Sequence, residues 1–149
     1  MKKLSIVASI IAIVAISFSA CQPYEEGPSF SLLSKKTRLA GTWEVTDWTA
    51  NGTSIEDVLS TKPEYQFFKD GTGSLSLVVP LLNIRVSEEL EWQFLNNGEQ
   101  IKLRIKKQEN WDPWNTYNIV KLYNTEMVVE HTSKENDIDV TYRLSLKKK

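Results

Sequence analysis

Between Glu89 and Lys106 the chain changes character at every step. Leu90, Trp92 and Phe94 alternate with Glu89, Glu91 and Gln93, and beyond Asn96-Asn97-Gly98 the pattern resumes with Ile101, Leu103 and Ile105 against Lys102, Arg104 and Lys106. A period of two puts successive side chains on opposite faces of an extended strand, whereas the apolar stripe of a helix recurs every 3.6 residues. These segments are therefore strands with one buried and one wet face. The acids on the outer face of the first strand and the bases on that of the second are expected to pair, at roughly 0.2–1 kcal/mol per pair.

The same alternation marks Trp43 and Val45, Tyr65 and Phe67, then Leu75, Leu77 and Val79, then Met127 and Val129, and finally Ile138, Val140, Tyr142, Leu144 and Leu146. Two places break step. In the segment from Thr116 to Tyr123, Tyr117 and Ile119 fall on one parity and Val120 and Leu122 on the other, which one inserted residue, a β-bulge, reconciles. Trp48 is five residues from Trp43, so it belongs on the outer wall unless a bulge displaces it. Counted from Trp43 to Leu146, the pattern gives eight strands in sequence order. Asp70-Gly71, Asn96-Asn97-Gly98 and Asn124-Thr125-Glu126 are tight turns, and in a meander all three lie at one end. The segment from Thr49 to Pro63, the apolar corner Pro80-Leu81-Leu82-Asn83-Ile84, the loop Trp111-Asp112-Pro113-Trp114 and the turn Ser133 to Asp137 then surround the other. Pairing the last strand with the first would remove both exposed edges and make a barrel. A two-sheet sandwich satisfies the same periodicity.

The chain has 149 residues, and the first 20 read as a removable export leader. Lys2 and Lys3 precede an apolar run from Leu4 to Phe18, shorter than the roughly 20 residues a spanning helix needs, and small residues Ser19-Ala20 follow. Cys21 is the sole cysteine, so no intramolecular disulfide can form. Phe18-Ser19-Ala20-Cys21 resembles the bacterial lipobox, with Phe18 where the pattern prefers an aliphatic residue. That resemblance implies lipidation at Cys21 and attachment to the outer membrane of a bacterial cell envelope, on its periplasmic or surface-exposed face. The two or three acyl chains of a bacterial lipoprotein anchor firmly where one would not. Gln22 to Ser29, with Pro23, Gly27 and Pro28, reads as a tether. Glu25 and Glu26 resemble acidic surface-export signals. A short helix is expected between Ser29 and Arg38, capped by Ser29 or Ser31, with Phe30, Leu32 and Leu33 covering one end of the domain. A second, a lid helix, is expected at Ser54 to Leu59. Without the leader, 16 basic residues face 19 acidic ones, and no basic stripe marks a nucleic-acid surface.

The segment Arg38-Leu39-Ala40-Gly41-Thr42-Trp43-Glu44-Val45-Thr46-Asp47-Trp48 reads as the first strand. Its Gly-x-Trp opening, Gly41 and Trp43, followed by alternating strands, resembles the lipocalin and calycin signature, and in particular the small lipocalin-like domains of Bacteroidetes lipoproteins. The resemblance covers about Leu32 to Leu146 and favours the barrel over the sandwich. It implies an all-β, eight-stranded antiparallel up-and-down barrel over residues 38–149, preceded by the lipidated Cys, tether and short helix of residues 21–37. It also implies a basic side chain from the last strand lying across Trp43. Arg143 is the candidate, although its parity places it outside.

Chemistry-bearing patterns are sparse. His131 is the sole histidine, and no Gly-x-Ser-x-Gly or metal-ligand spacing accompanies it. Glu89 and Glu91 share a wet face and read as solvated charge rather than a glycosidase pair. Asp70-Gly71-Thr72-Gly73 reads as a turn rather than a phosphate loop. The expectation is a non-enzymatic protein with no cofactor and no metal. Two tryptophans flanking Asp112-Pro113 are costly to expose, so Trp111 and Trp114 either cap the barrel mouth or offer flat faces to a ligand or partner. Two readings stay open. In one, a small hydrophobic ligand enters the mouth among Leu81, Leu82, Trp92, Trp111, Trp114 and His131. In the other, Trp43, Tyr65, Phe67, Trp92, Phe94 and Tyr142 fill the interior, and the tryptophan loop contacts an envelope protein or glycan.

Overall fold

The computed structural model describes Tyr24 and residues 31–55, 62–79 and 84–149. A short helix, α1 (Lys35–Leu39), leads into β1 (Gly41–Ala50) and the two-residue β2 (Thr53–Ser54). There follow β3 (Glu64–Phe67), β4 (Thr72–Val79), β5 (Ile84–Leu95), β6 (Gln100–Lys107), the two-residue β7 (Asn110–Trp111), β8 (Asn115–Leu122), β9 (Glu126–Glu135) and β10 (Ile138–Lys148). The eight longer strands are antiparallel neighbours in chain order, and β10 pairs with β1. Trp43 lies opposite Lys148 and Ala50 opposite Tyr142 along that closing ladder. The sheet is a closed barrel with a meander topology, as the lipocalin resemblance implies.

Both breaks in periodicity are bulges. In β1 the register shifts between Val45 and Asp47, after which Trp48 faces Leu144. That inserted residue turns Trp48 inward, where it packs against the core. In β8 the shift falls between Ile119 and Lys121, so that Ile119 opposes Val129 and Leu122 opposes Met127, all four within the core. The outer faces of β5 and β6 pair as their charges require. Arg104 Nε donates to Glu91 at 2.8 Å and Lys106 Nζ to Glu89 at 3.2 Å. Between β6 and β8 the ladder is short, running from Gln100 to Leu103 on one strand and Asn115 to Asn118 on the other, because β7 takes up Lys106 and Lys107.

Trp43 is the largest fully buried side chain, 0% exposed, and its Nε1 donates to the Leu39 carbonyl at 2.7 Å. Above its ring, at 4.9 Å, lies the Lys148 ammonium, which also donates to the Arg38 and Ala40 carbonyls at 2.8 and 2.7 Å. One lysine thus ties the last strand, the first tryptophan and the C-terminal end of α1 together. Gly41, with φ +132°, supplies the backbone conformation that carries the chain out of α1 into β1 beside that lysine. Arg143 remains on the outer wall and pairs with Glu130 at 2.7 Å, as its parity demands; the basic side chain across Trp43 is Lys148.

The helix begins later than expected, and Arg38 and Leu39 belong to it rather than to the first strand. Ser34, not Ser29 or Ser31, accepts from the Thr37 amide. The expected apolar cover therefore shifts. Leu32 is 91% exposed and Leu33 is also exposed, because they precede the helix, while Leu39 and Tyr24 are buried in the core. α1 seals the end that carries the tight turns. Lys35 Nζ donates to the Asn97 carbonyl there and Arg38 Nη1 to that of Leu122 at 2.8 Å. The leader, Cys21, Phe30, the core of the proposed lid helix and the Pro80 to Asn83 corner lie outside the described residues.

Trp43→Ala is expected to lower the unfolding free energy by about 3–5 kcal/mol, the cost of an unfilled site of this size. Urea denaturation followed by far-UV circular dichroism measures it, and a loss under about 1 kcal/mol would contradict the central position of this indole.

Candidate functional site: the mouth of the barrel

Inward-facing side chains grow more exposed along several strands from the α1 end toward the other. Along β10, Leu146 and Leu144 are buried, Tyr142 is partly buried, and Ile138 is 64% exposed. Along β9, Met127 and Val129 are buried and His131 is partly open; along β6, Ile101 and Leu103 give way to Ile105. Trp43 and Val45 give way to Trp48 on β1, and Leu90 gives way to Glu88, Val86 and Ile84 on β5. The barrel is a cup with a plugged base. Trp48 and Tyr142 lie partly buried toward its rim, while Tyr65, opposite Trp43, and Tyr117, opposite Ile101, lie partly buried at mid-depth; all four pack on the core.

Midway down lies an apolar cavity lined by Tyr65, Phe67, Ile101, Leu103, Tyr117, Met127, Val129, Leu144 and Leu146. Its volume is about 30 Å³, room for about two waters. None of the lining side chains carries a charge at neutral pH. Burial pushes the phenols of Tyr65 and Tyr117 above the ordinary tyrosine range, so both stay neutral. Desolvation of this kind disfavours an ionised guest for the same reason.

The expected site residues do not assemble into one place. His131 faces the mouth, its Nδ1 2.8 Å from the Thr116 carbonyl and its ring 5.2 Å from that of Tyr117. A carbonyl can only accept, so Nδ1 carries the proton and the imidazole is engaged as a strap between β9 and β8. Trp92 lies near the base, with Nε1 shared between the Phe68 and Thr72 carbonyls at 3.0 Å, and it does not line the cavity. It braces the Asp70-Gly71 turn, where Asp70 accepts from the amide and hydroxyl of Thr72 at 2.9 and 2.7 Å. Leu81 and Leu82 lie outside the described residues.

Trp111 and Trp114 do not cap the mouth. They lie against the outer wall of β6, because β7 folds back on that strand with Trp111 opposite Lys106, whose parity is outward. The turn is held by the Asp112 amide donating to the Ile105 carbonyl at 2.8 Å and by the Lys107–Asp112 ion pair at 2.9 Å. The guanidinium of Arg104 sits 4.7 Å from the Trp111 ring centroid and 4.6 Å from that of Trp114, with Lys102 Nζ also 4.6 Å from the latter. Alternating outward bases on β6 thus provide the seats for both indoles. The useful signal was present in the sequence, since Lys102, Arg104 and Lys106 form an outward cationic row beside a tryptophan pair.

No protein-family model matches this chain, and no curated protein sequence matches it. Among solved structures, it is similar to bovine odorant-binding protein complexed with its natural ligand, at 14% identity, covering 80% of this chain and 77% of that one with a TM-score of 0.47. The complex of the bovine protein with undecanal gives the same identity, coverage and TM-score. A further odorant-binding protein is similar at 11% identity, 80% and 77% coverage and a TM-score of 0.47. The barrel assignment made above rests on the strand pairing of this chain alone.

Arg104→Ala is expected to cost about 1–2 kcal/mol and to change tryptophan emission, because it leaves both indoles without their shared cation. Glu91→Gln, which keeps the ring contacts and removes the ion pair, should cost less than about 1 kcal/mol. Equal losses in the two variants, measured by urea denaturation, would show that the salt bridge rather than the ring stacking holds the loop.

Proposed function

We propose that this chain is a non-enzymatic, lipocalin-like carrier of the kind found in Bacteroidetes lipoproteins, exported and acylated at Cys21, that takes a small uncharged apolar molecule into the mouth half of its barrel. The observation that carries the reading is the gradient of exposure. A chain built only to be a solid barrel has no reason to leave Trp48, Tyr142 and Ile138 open toward one end while packing Trp43, Leu90 and Leu122 completely toward the other. The uncharged lining of the cavity beneath them supports a neutral guest over a carboxylate. Its size limits that guest to a few atoms unless side chains move. Met127, unbranched and pliable, lines the cavity and is suited to yielding.

A second reading has one observation of its own. Trp114 is 38% exposed on the outer wall, in a loop fixed by its cationic seats, and so offers a flat face to an envelope protein or a glycan. It places the partner outside the barrel, and the two readings are separable.

Tryptophan fluorescence and calorimetry with a series of neutral aldehydes and alcohols of increasing length test the first reading. The parent protein is expected to bind the shorter members. Val129→Phe, which fills the cavity, is expected to weaken binding at least tenfold, and Leu103→Ala, which enlarges it, is expected to extend the accepted length. Circular dichroism confirms that each variant is folded, since overpacking costs about 1–3 kcal/mol. Indifference of binding to both variants would remove the interior from the mechanism. Metabolic labelling with an alkynyl fatty acid tests the anchor, with Cys21→Ser expected to lose the label.

A further inference from the structure

Tyr24 sits three residues after Cys21 and is only 3% exposed, a member of the hydrophobic core. Its ring lies 5.4 Å from Lys35 Nζ and 5.8 Å from the Arg38 guanidinium carbon, both on α1. Those same side chains reach the Asn97 and Leu122 carbonyls at the tight-turn end, so Tyr24 is docked at the base of the cup. Its hydroxyl is buried without a hydrogen-bond partner, and burial pushes the phenol up to about 12. An unsatisfied hydroxyl opposes burial, so the ring is held there by apolar packing and by the two cations facing it.

We infer that Tyr24 pins the acylated N-terminus to the closed end, so that the barrel stands base-down on the bilayer with its mouth turned toward the aqueous phase. The inference rests on the proposed acylation of Cys21 and deepens it. Three residues span at most about 11 Å. The mouth lies farther off, because β10 runs 11 residues from base to rim, which at about 3.3 Å per residue and a tilt near 40° is about 28 Å. Without the Tyr24 contact, the leash from Cys21 to α1 would be 14 residues with a reach of about 50 Å, and the barrel could lie on its side or turn over. A docked tyrosine therefore removes an orientational freedom that the sequence of the tether would otherwise allow. The partner surface for the base is the lipid headgroup layer, and a ligand is exchanged with the surrounding water or a soluble carrier rather than drawn sideways from the membrane.

The test uses the acylated full chain purified from membranes and placed in phosphatidylethanolamine–phosphatidylglycerol vesicles. Acylation converts the Cys21 thiol to a thioether, so a single introduced cysteine can be labelled with a fluorophore. One variant, Asn124→Cys, reports from the tight turn at the base, and another, Lys134→Cys, from the exposed rim beside the mouth. Quenching by headgroup-labelled lipid is expected to be at least threefold stronger at the base. Adding Tyr24→Ala should bring the two positions within a factor of about 1.5 while the circular dichroism spectrum is retained. Equal quenching at both positions in an acylated parent would overturn the orientation alone, and an unchanged difference in the Tyr24→Ala background would overturn the role of Tyr24. A chain that carries no acyl label overturns anchor and orientation together.

Discussion

The pairing of β10 with β1 is the constraint on which the rest depends. A meander of eight half-buried strands has two unpaired edges, and these strands avoid them by joining first to last from Trp43 opposite Lys148 to Ala50 opposite Tyr142. That single ladder fixes the curvature of the wall, and the curvature decides which side chains meet inside. The bulge in β1 follows from it, because Trp48 can share the interior with Trp43 only if one residue is passed over. Lys148 completes the junction by holding the Arg38 and Ala40 carbonyls across the Trp43 ring.

The difference between the two ends follows from the same junction. α1 enters β1 at the base, bringing Leu39, Arg38 and Tyr24 with it, so the base acquires a plug made from the segment before the barrel. The opposite end receives no comparable plug from the described residues, and inward side chains there, Val86 and Ile138 among them, are left open. Tight packing below and partial exposure above are what a container requires, since a rigid floor fixes the depth to which a guest can enter. The tryptophan loop contributes to neither end. It stiffens the outer surface of β6 by layering indoles on cations.

Much of the wall was legible in the sequence because alternation is a local property. Each strand announces itself through its own side chains, and the bulge in β8 was visible as a conflict of parity between Ile119 and Val120. For Trp48 the sequence left two alternatives, and only closure of the ring selects between them. The basic residue over Trp43 was misplaced for a simple reason. The apolar alternation ends at Leu146, whereas β10 continues to Lys148, which shares the inward parity of Leu144 and Leu146. The helix start was obscured by three serines, of which Ser34 alone is positioned to bond the amide of Thr37. The place of Trp111 depends on how a two-residue strand returns after Gln108, which adopts a positive φ of 56°; no period exists in so short a segment to reveal it.

The brief ladder between β6 and β8 has a consequence for how the wall breathes. These two are paired over Gln100 to Leu103 and Asn115 to Asn118, with the Ile119 amide also donating to the Glu99 carbonyl at 2.8 Å, and toward the mouth β6 is occupied by β7. Local opening begins where the fewest amides must part together. Like the equally short ladders that β3 makes with β1 and β4, this seam should part early, so the Tyr117 amide is expected to exchange with deuterium sooner than those in the middle of β9 and β10, marking a slit in the side of the cup that widens before the rest of the molecule unfolds.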